Sequence, residues 1–228
     1  DTPPAPLDRG DLPIPADWRL PEQPPLWLEG AGLSLFGMRG LETVGREQER
    51  DALWGTLRET AGDRRPRVVA LLGPAGVGKS QLLEWFGRSA HIHGAALCLS
   101  ARCEQGLTAG LVKALKVALR VEGLALPAVA RRLQATLQYT TYNSLGALAR
   151  LLGPGEDARG GTEPRKPLSS EAITEALVHC LQTLTEHSRV LLRLDDLHLS
   201  EEPPALLAAL AQRVSGPLVI ALGAREPA

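Results

Sequence analysis

Residues Gly73 to Ser80 read GPAGVGKS, a full match to GxxxxGK[ST], and no other feature of the 228-residue chain restricts its fold as strongly. The pattern works at one kind of place, a tight turn that leaves a buried strand and enters a helix. Both flanks suit it. RVVALL (67–72) is a short apolar run that reads as a buried parallel strand, and Leu82, Leu83 and Phe86 share one face of a following helix. Gly73, Gly76 and Gly78 let the backbone aim its N–H groups at phosphate oxygens, toward which Lys79 also reaches. Ser80 opens the helix, whose positive end faces the same anion, and its hydroxyl is placed to ligate Mg2+. The phosphate-binding set is therefore Gly73, Pro74, Ala75, Gly76, Val77, Gly78, Lys79, Ser80 and the adjoining Gln81.

A second signal lies at RLDDLH (193–198), where an apolar strand delivers two carboxylates to its C-terminal end. Open α/β sheets bind ligands at that edge. Asp195 suits a metal-holding role beside Ser80, and Asp196 suits orientation or polarisation of an attacking water. Arg193 is out of place in a buried strand and implies either a covered edge or an acidic partner.

Strands and helices alternate along the chain. A helix is expected from about Arg46 to Arg58, capped by Gly45, burying Leu53, Trp54 and Leu57, and ended by AGDRRP. Further strands are expected at 95–100 (AALCLS), 189–194 (RVLLRL) and 217–222 (PLVIAL). Leucine stripes mark helices between 107 and 152, and Ser169 or Ser170 caps another carrying Ile173, Leu177, Cys180, Leu181 and Leu184. Residues 153–167 hold almost no apolar side chain and read as a loop, and a last helix starts after Pro203 and Pro204. This alternation implies a mostly parallel sheet between helical layers.

Eight of the first 25 residues are proline, which blocks helix propagation and sheet ladders, so residues 1–40 read as a linker and 41–228 as the folded core, with a helical region at 107–187. Trp18, Trp27, Leu33, Leu35 and Phe36 are too apolar for a solvated tether, so part of the linker is expected to dock. The chain begins at Asp1, which suggests a piece of something longer. With 44% hydrophobic residues but only four Trp, two Tyr and two Phe, the core must be aliphatic, and so few aromatics argue against stacking platforms for single-stranded nucleic acid. A net charge of -1 disfavours duplex binding as well. Three cysteines (Cys98, Cys103, Cys180), no long apolar span and no leader-like start point to a reducing, cytoplasmic setting. His91 and His93 lack companions at metal spacing and read as structural.

VGREQERDAL near residue 44, GPAGVGKS, VLLRLDDLH and the terminal VIALGAREP stand in the order found in AAA-like ATPase modules of the STAND class, which the chain resembles over about residues 41 to 227. GLSLFGMRG before the VGRE box is similar to the region that follows a Ser/Thr kinase domain in some bacterial regulators. The resemblance implies a P-loop NTPase three-layer sandwich with core strand order 1-4-3-2, fifth strand and lid missing, and a helical insertion. It implies ATP and Mg2+ as ligands, with Val44, Gly45 and Arg46 beside adenine and ribose and Arg225 sensing the γ-phosphate. His198 matches the family's histidine after the acidic pair, whereas Leu199 stands where a tryptophan often follows. The expected function is a slow, Mg2+-dependent ATPase switch in signal transduction, partnered by domains of the same parent protein and by nucleotide-dependent self-association. Two alternatives stay open: a degenerate nucleotide-binding scaffold and an initiator-like DNA-associated ATPase.

Overall fold

Four parallel strands carry the architecture, in the spatial order β1-β4-β3-β2. The computed structural model describes residues 13–19, 45–137, 142–154, 167–202 and 205–225. Val44, Trp27, Leu33, Leu35, Phe36, Pro203, Pro204 and most of the 153–167 loop lie outside them. The elements are α1 (Glu47–Asp63), β1 (Arg67–Leu72), α2 (Lys79–Ile92), β2 (Leu97–Arg102), α3 (Leu107–Ala118), α4 (Leu126–Leu137), α5 (Tyr142–Leu152), α6 (Ser170–His187), β3 (Val190–Asp195), a 3-10 turn (Leu197–Leu199), α7 (Ala205–Arg213) and β4 (Leu218–Ala224).

Each strand sends alternate side chains to opposite faces, and the two faces bury different sets. Val69 and Leu71 of β1, Val219 and Ala221 of β4, Leu191 of β3 and Cys98 of β2 meet Leu53, Trp54 and Leu57 of α1 and Leu82, Leu83 and Phe86 of α2. Val190, Leu192 and Leu194 of β3, with Leu218, Ile220 and Leu222 of β4, meet the larger cluster built by α3 to α7. Among the described residues the buried core is largely aliphatic, with Trp54 and Phe86 its aromatic side chains. Burial of a side chain such as Phe86, with none of its surface exposed, contributes about 1.5–3 kcal/mol.

Several boundaries differ from the sequence expectation. α1 is longer, because Ala61, Gly62 and Asp63 remain helical and the chain leaves the helix only at Arg64, in the left-handed region at φ +55°. Its N-cap is Arg46, also left-handed at φ +59°, rather than Gly45. β2 runs from Leu97 rather than Ala95, since Ala95 closes the turn after α2, its N–H donating to the Ala90 carbonyl at 2.8 Å, and Leu97 N–H makes the first bond toward the β3 side, to the Arg189 carbonyl at 2.7 Å. β1 is not buried on both faces: Val68 is 46% and Leu72 55% exposed, because β1 forms one edge of the sheet. Ser169 does cap α6, its hydroxyl accepting from Ala172 N–H at 3.2 Å.

Residues 13–19 pack against α1 and α2. Trp18 Nε1 donates to Asp51 at 2.7 Å, Arg19 pairs with Asp51 at 3.0 Å, and Trp54 Nε1 donates to the Pro15 carbonyl at 3.0 Å. Trp18 meets Trp85 edge-on with centroids 4.9 Å apart, and the Arg50 guanidinium lies 5.2 Å from both rings.

Candidate nucleotide-binding site

β1 hands the chain directly to the glycine-rich loop. Gly73, Gly76 and Gly78 take φ of +149°, +80° and +88°, values at which any side chain would be strained. The loop ends at Gly78, the N-cap of α2, so Lys79 and Ser80 occupy the first turn of a 14-residue helix. The unpaired N–H groups of that turn and the helix dipole favour an anion there.

Lys79 folds its ammonium over the loop, donating to the carbonyls of Gly73 at 2.9 Å and Pro74 at 2.8 Å. Two neutral carbonyls are weaker acceptors for an ammonium than a charged phosphate oxygen. Arg46 donates through Nη2 to the Val77 carbonyl and lies 3.8 Å from Glu49. Arg46, the N-cap of α1, is thereby tied to the loop at Val77. Gly45, at φ +76°, makes the preceding turn.

The acidic pair reaches the same edge because β1, β4 and β3 run parallel, Leu72 pairing with Ala224 and Leu194 with Leu222. Asp195 ends β3 on the α1–α2 face. Its Oδ1 would lie 3.0 Å from a Cβ built on Gly223, and Leu83 Cδ1 of α2 would lie 3.1 Å from that Cβ. Gly223 thus leaves the gap that seats the carboxylate beside Leu83 of α2, three residues along the helix from Ser80. Asp196 is left-handed at φ +56°, and its N–H donates to Asp195 Oδ1 at 3.0 Å. Such backbone is costly for a non-glycine residue and is concentrated at functional sites. Arg225 is exposed and follows the end of β4, on the carboxyl edge. His198 keeps both ring nitrogens enclosed without a hydrogen-bond partner among the described residues.

Sequence reasoning missed three contributors. Gly223 is one, and a glycine within an apolar strand is the signal that a close approach occurs there. Gly87, beneath Arg193, is the second. The third is the cap of α3 by the loop after Asp196: Ser200 Oγ accepts from Leu107 N–H at 3.2 Å, and Glu202 accepts from Thr108 N–H at 3.0 Å and Thr108 Oγ1 at 2.7 Å. No local pattern records a contact between residues 94 apart. Cys103, fully buried beside this loop, has its thiol pushed up to about 11 by burial first and then by Glu202, Asp195 and Asp196. His93 is structural, its Nδ1 2.8 Å from the Ser89 carbonyl and its ring 5.1 Å from Trp54.

A family model described as AAA ATPase domain matches residues 42–221. The chain belongs to this AAA ATPase family. The match spans the loop, both acidic residues, β1 to β3 and the first four residues of β4. A search of curated proteins finds no match. Family membership makes nucleotide binding and ATP hydrolysis the chemistry that the fold supports. The donor set also fits Mg2+: one hydroxyl and one carboxylate are hard oxygen ligands, and Mg2+ is commonly held by one or two carboxylates together with substrate phosphates. Among the described residues no group of three or more His, Cys, Asp or Glu is gathered to cage a metal. No helix among them is long and apolar enough to cross a membrane.

Proposed function

We propose that this AAA ATPase domain binds ATP with Mg2+ at the Gly73–Gln81 loop and hydrolyses it slowly, as a signalling switch. One observation carries the reading: a glycine loop of the required backbone handedness runs into the N-terminus of α2, while Asp195 is seated against that same helix through Gly223.

In this mechanism the loop amides and Lys79 hold the β- and γ-phosphates, and Lys79 exchanges its two carbonyl acceptors for phosphate oxygens. Ser80 and Asp195 would hold Mg2+, which neutralises charge on those phosphates. Asp196 accepts a proton from the attacking water as oxygen bonds to the γ-phosphorus and the bond to the β-phosphate oxygen breaks, giving ADP and phosphate. Arg225 would meet the γ-phosphate, and Gly45, Arg46 and Val44 the base and ribose. Catalysis of this kind is mostly positioning and charge neutralisation, so a slow basal rate is the expected behaviour without a further arginine donor. The switch role draws support from residues 13–19, which rest on α1 and α2, the two helices that carry Arg46 and the loop.

Calorimetric titration tests the reading. The wild-type chain should bind Mg-ATP, Lys79→Ala should abolish binding, and Asp196→Asn should bind yet release no phosphate. Equal binding by wild type and Lys79→Ala would refute the phosphate role of the loop. Binding without phosphate release at saturating Mg-ATP in the wild type would leave a nucleotide-binding scaffold.

A further inference from the structure

We infer that Arg193 is a positioning residue of the nucleotide site, a largely enclosed strut that sets α2, and with it Ser80, in register with Asp195. The inference rests on the function proposed above, and Arg193 itself touches no substrate in it.

Residues 193 and 195 lie on the same face of β3, because side chains alternate along a strand. The Arg193 side chain is only 12% exposed. Its Nη1 donates to the Leu83 carbonyl at 2.8 Å and to the Glu84 carboxylate at 3.0 Å, both on α2, and its Nη2 donates to Ser100 Oγ of β2 at 2.9 Å. The guanidinium lies against Gly87, where a Cβ would sit 2.6 Å from Nε and 2.7 Å from Cζ. Glycine at 87 is therefore what lets the guanidinium lie beneath the helix. Leu83 is shared: its carbonyl binds Arg193, and its side chain lies beside the gap at Gly223 that seats Asp195.

Stability alone gives no reason for a guanidinium here. Burying most of a guanidinium costs free energy, its Nε has no hydrogen-bond partner among the described residues, and the ion pair with Glu84, a side chain 59% exposed, is screened by solvent. What an apolar contact cannot supply is direction. Three donated hydrogen bonds to two elements fix both the rotation of α2 and its position along its axis. Ser80 stands about one turn, roughly 5.4 Å, from Leu83 and Glu84, so a slip of α2 moves the hydroxyl away from the carboxylate by the same amount. Displacements of about 1 Å at a reacting centre can cost about 100-fold.

The test uses the full chain with Arg193→Met, Arg193→Lys and Gly87→Ala. Affinity for a non-hydrolysable ATP analogue is measured with and without Mg2+, alongside urea unfolding and hydrogen exchange of the α2 amides in the ligand-free protein. Wild type should bind more tightly with Mg2+. Arg193→Met should keep its Mg2+-free affinity and lose about tenfold of the Mg2+-dependent gain, with faster exchange in α2. Gly87→Ala, which retains the cation but closes its groove, should lose the same gain. Arg193→Lys should recover part of it. Unchanged Mg2+ dependence and unchanged α2 exchange in both Arg193→Met and Gly87→Ala would overturn the inference. If Arg193→Met fails to fold, Gly87→Ala decides alone. A wild type that binds no nucleotide at all defeats the functional reading, a result distinct from variants that match a binding-competent wild type.

Discussion

At the scale of single residues, Gly223 has the sharpest consequence. Its backbone is ordinary strand, so Gly223→Ala introduces no conformational strain, and the only cost is the methyl group's approach to Asp195 Oδ1 at 3.0 Å and Leu83 Cδ1 at 3.1 Å. Both neighbours must give by a few tenths of an ångström. We expect thermal stability close to wild type but Mg-ATP turnover lower by about tenfold, measured as phosphate release, since misplacement of a positioned group outweighs the packing change. Turnover equal to wild type would show that Asp195 does not work from this seat. The loop was legible in the sequence because eight contiguous residues contain its whole requirement: glycines for handedness, a lysine for charge and a hydroxyl at the helix start. Gly223 and Gly87 were not read, because each is constrained by a side chain from another strand. Arg193 stood out as an anomaly, but its partners Leu83, Glu84 and Ser100 become visible only when β3 is placed under α2.

At the scale of elements, apolar periodicity located every strand and most helices, while their ends depended on forces that periodicity does not carry. Gly62 reads as a breaker, yet it stays in α1, where the Asp63–Arg67 ion pair at 2.8 Å ties the helix end to the start of β1. Trp18 is too apolar for a tether, and residues 13–19 show what it does: its ring, with that of Trp85, flanks Arg50, a residue only 7% exposed whose Nε and Nη2 find no hydrogen-bond acceptor among the described residues. Cation–π contact is the main compensation for that burial. Trp18→Ala should therefore destabilise the chain by about 2 kcal/mol in urea unfolding, less than a fully buried Trp would cost. Loss of under about 0.5 kcal/mol would place the segment among surface contacts. Acid should act on the same clasp. Asp51 is held below its ordinary value of 3.8 by the Arg19 hydrogen bond first and by that of Trp18 second. A carboxyl so lowered contributes stability above pH 3.8 that disappears as pH falls through its folded-state value. Neutral and mildly acidic solutions leave the contact intact, and Asp51→Asn should flatten this part of the acid dependence.

At the scale of the whole molecule, strand order 1-4-3-2 decides which surface is exposed. With β4 between β1 and β3, the loop after β1 and the acidic pair after β3 open on one carboxyl edge, and β1 becomes a border of the described sheet. That order was legible only through the family resemblance, since alternation of strands and helices constrains handedness and parallelism but permits several orders. On one face of β1, Val69 and Leu71 join the core with α1 and α2, whereas on the other Val68, Ala70 and Leu72 are exposed. An apolar stripe beside backbone N–H and C=O groups that no other described strand pairs favours pairing with another chain. The chain should accordingly self-associate as its concentration rises, and Val68→Lys should suppress this, because a charge on an edge strand must be desolvated when a second strand docks. Light scattering over a concentration series checks the effect, with nucleotide affinity as the control. Val68 points away from the face shared by α2 and Asp195, so the variant should bind Mg-ATP as wild type does. Association that persists in Val68→Lys would move the contact to another surface, and association that changes with Mg-ATP only in the wild type would tie the β1 border to the state of the loop that follows it.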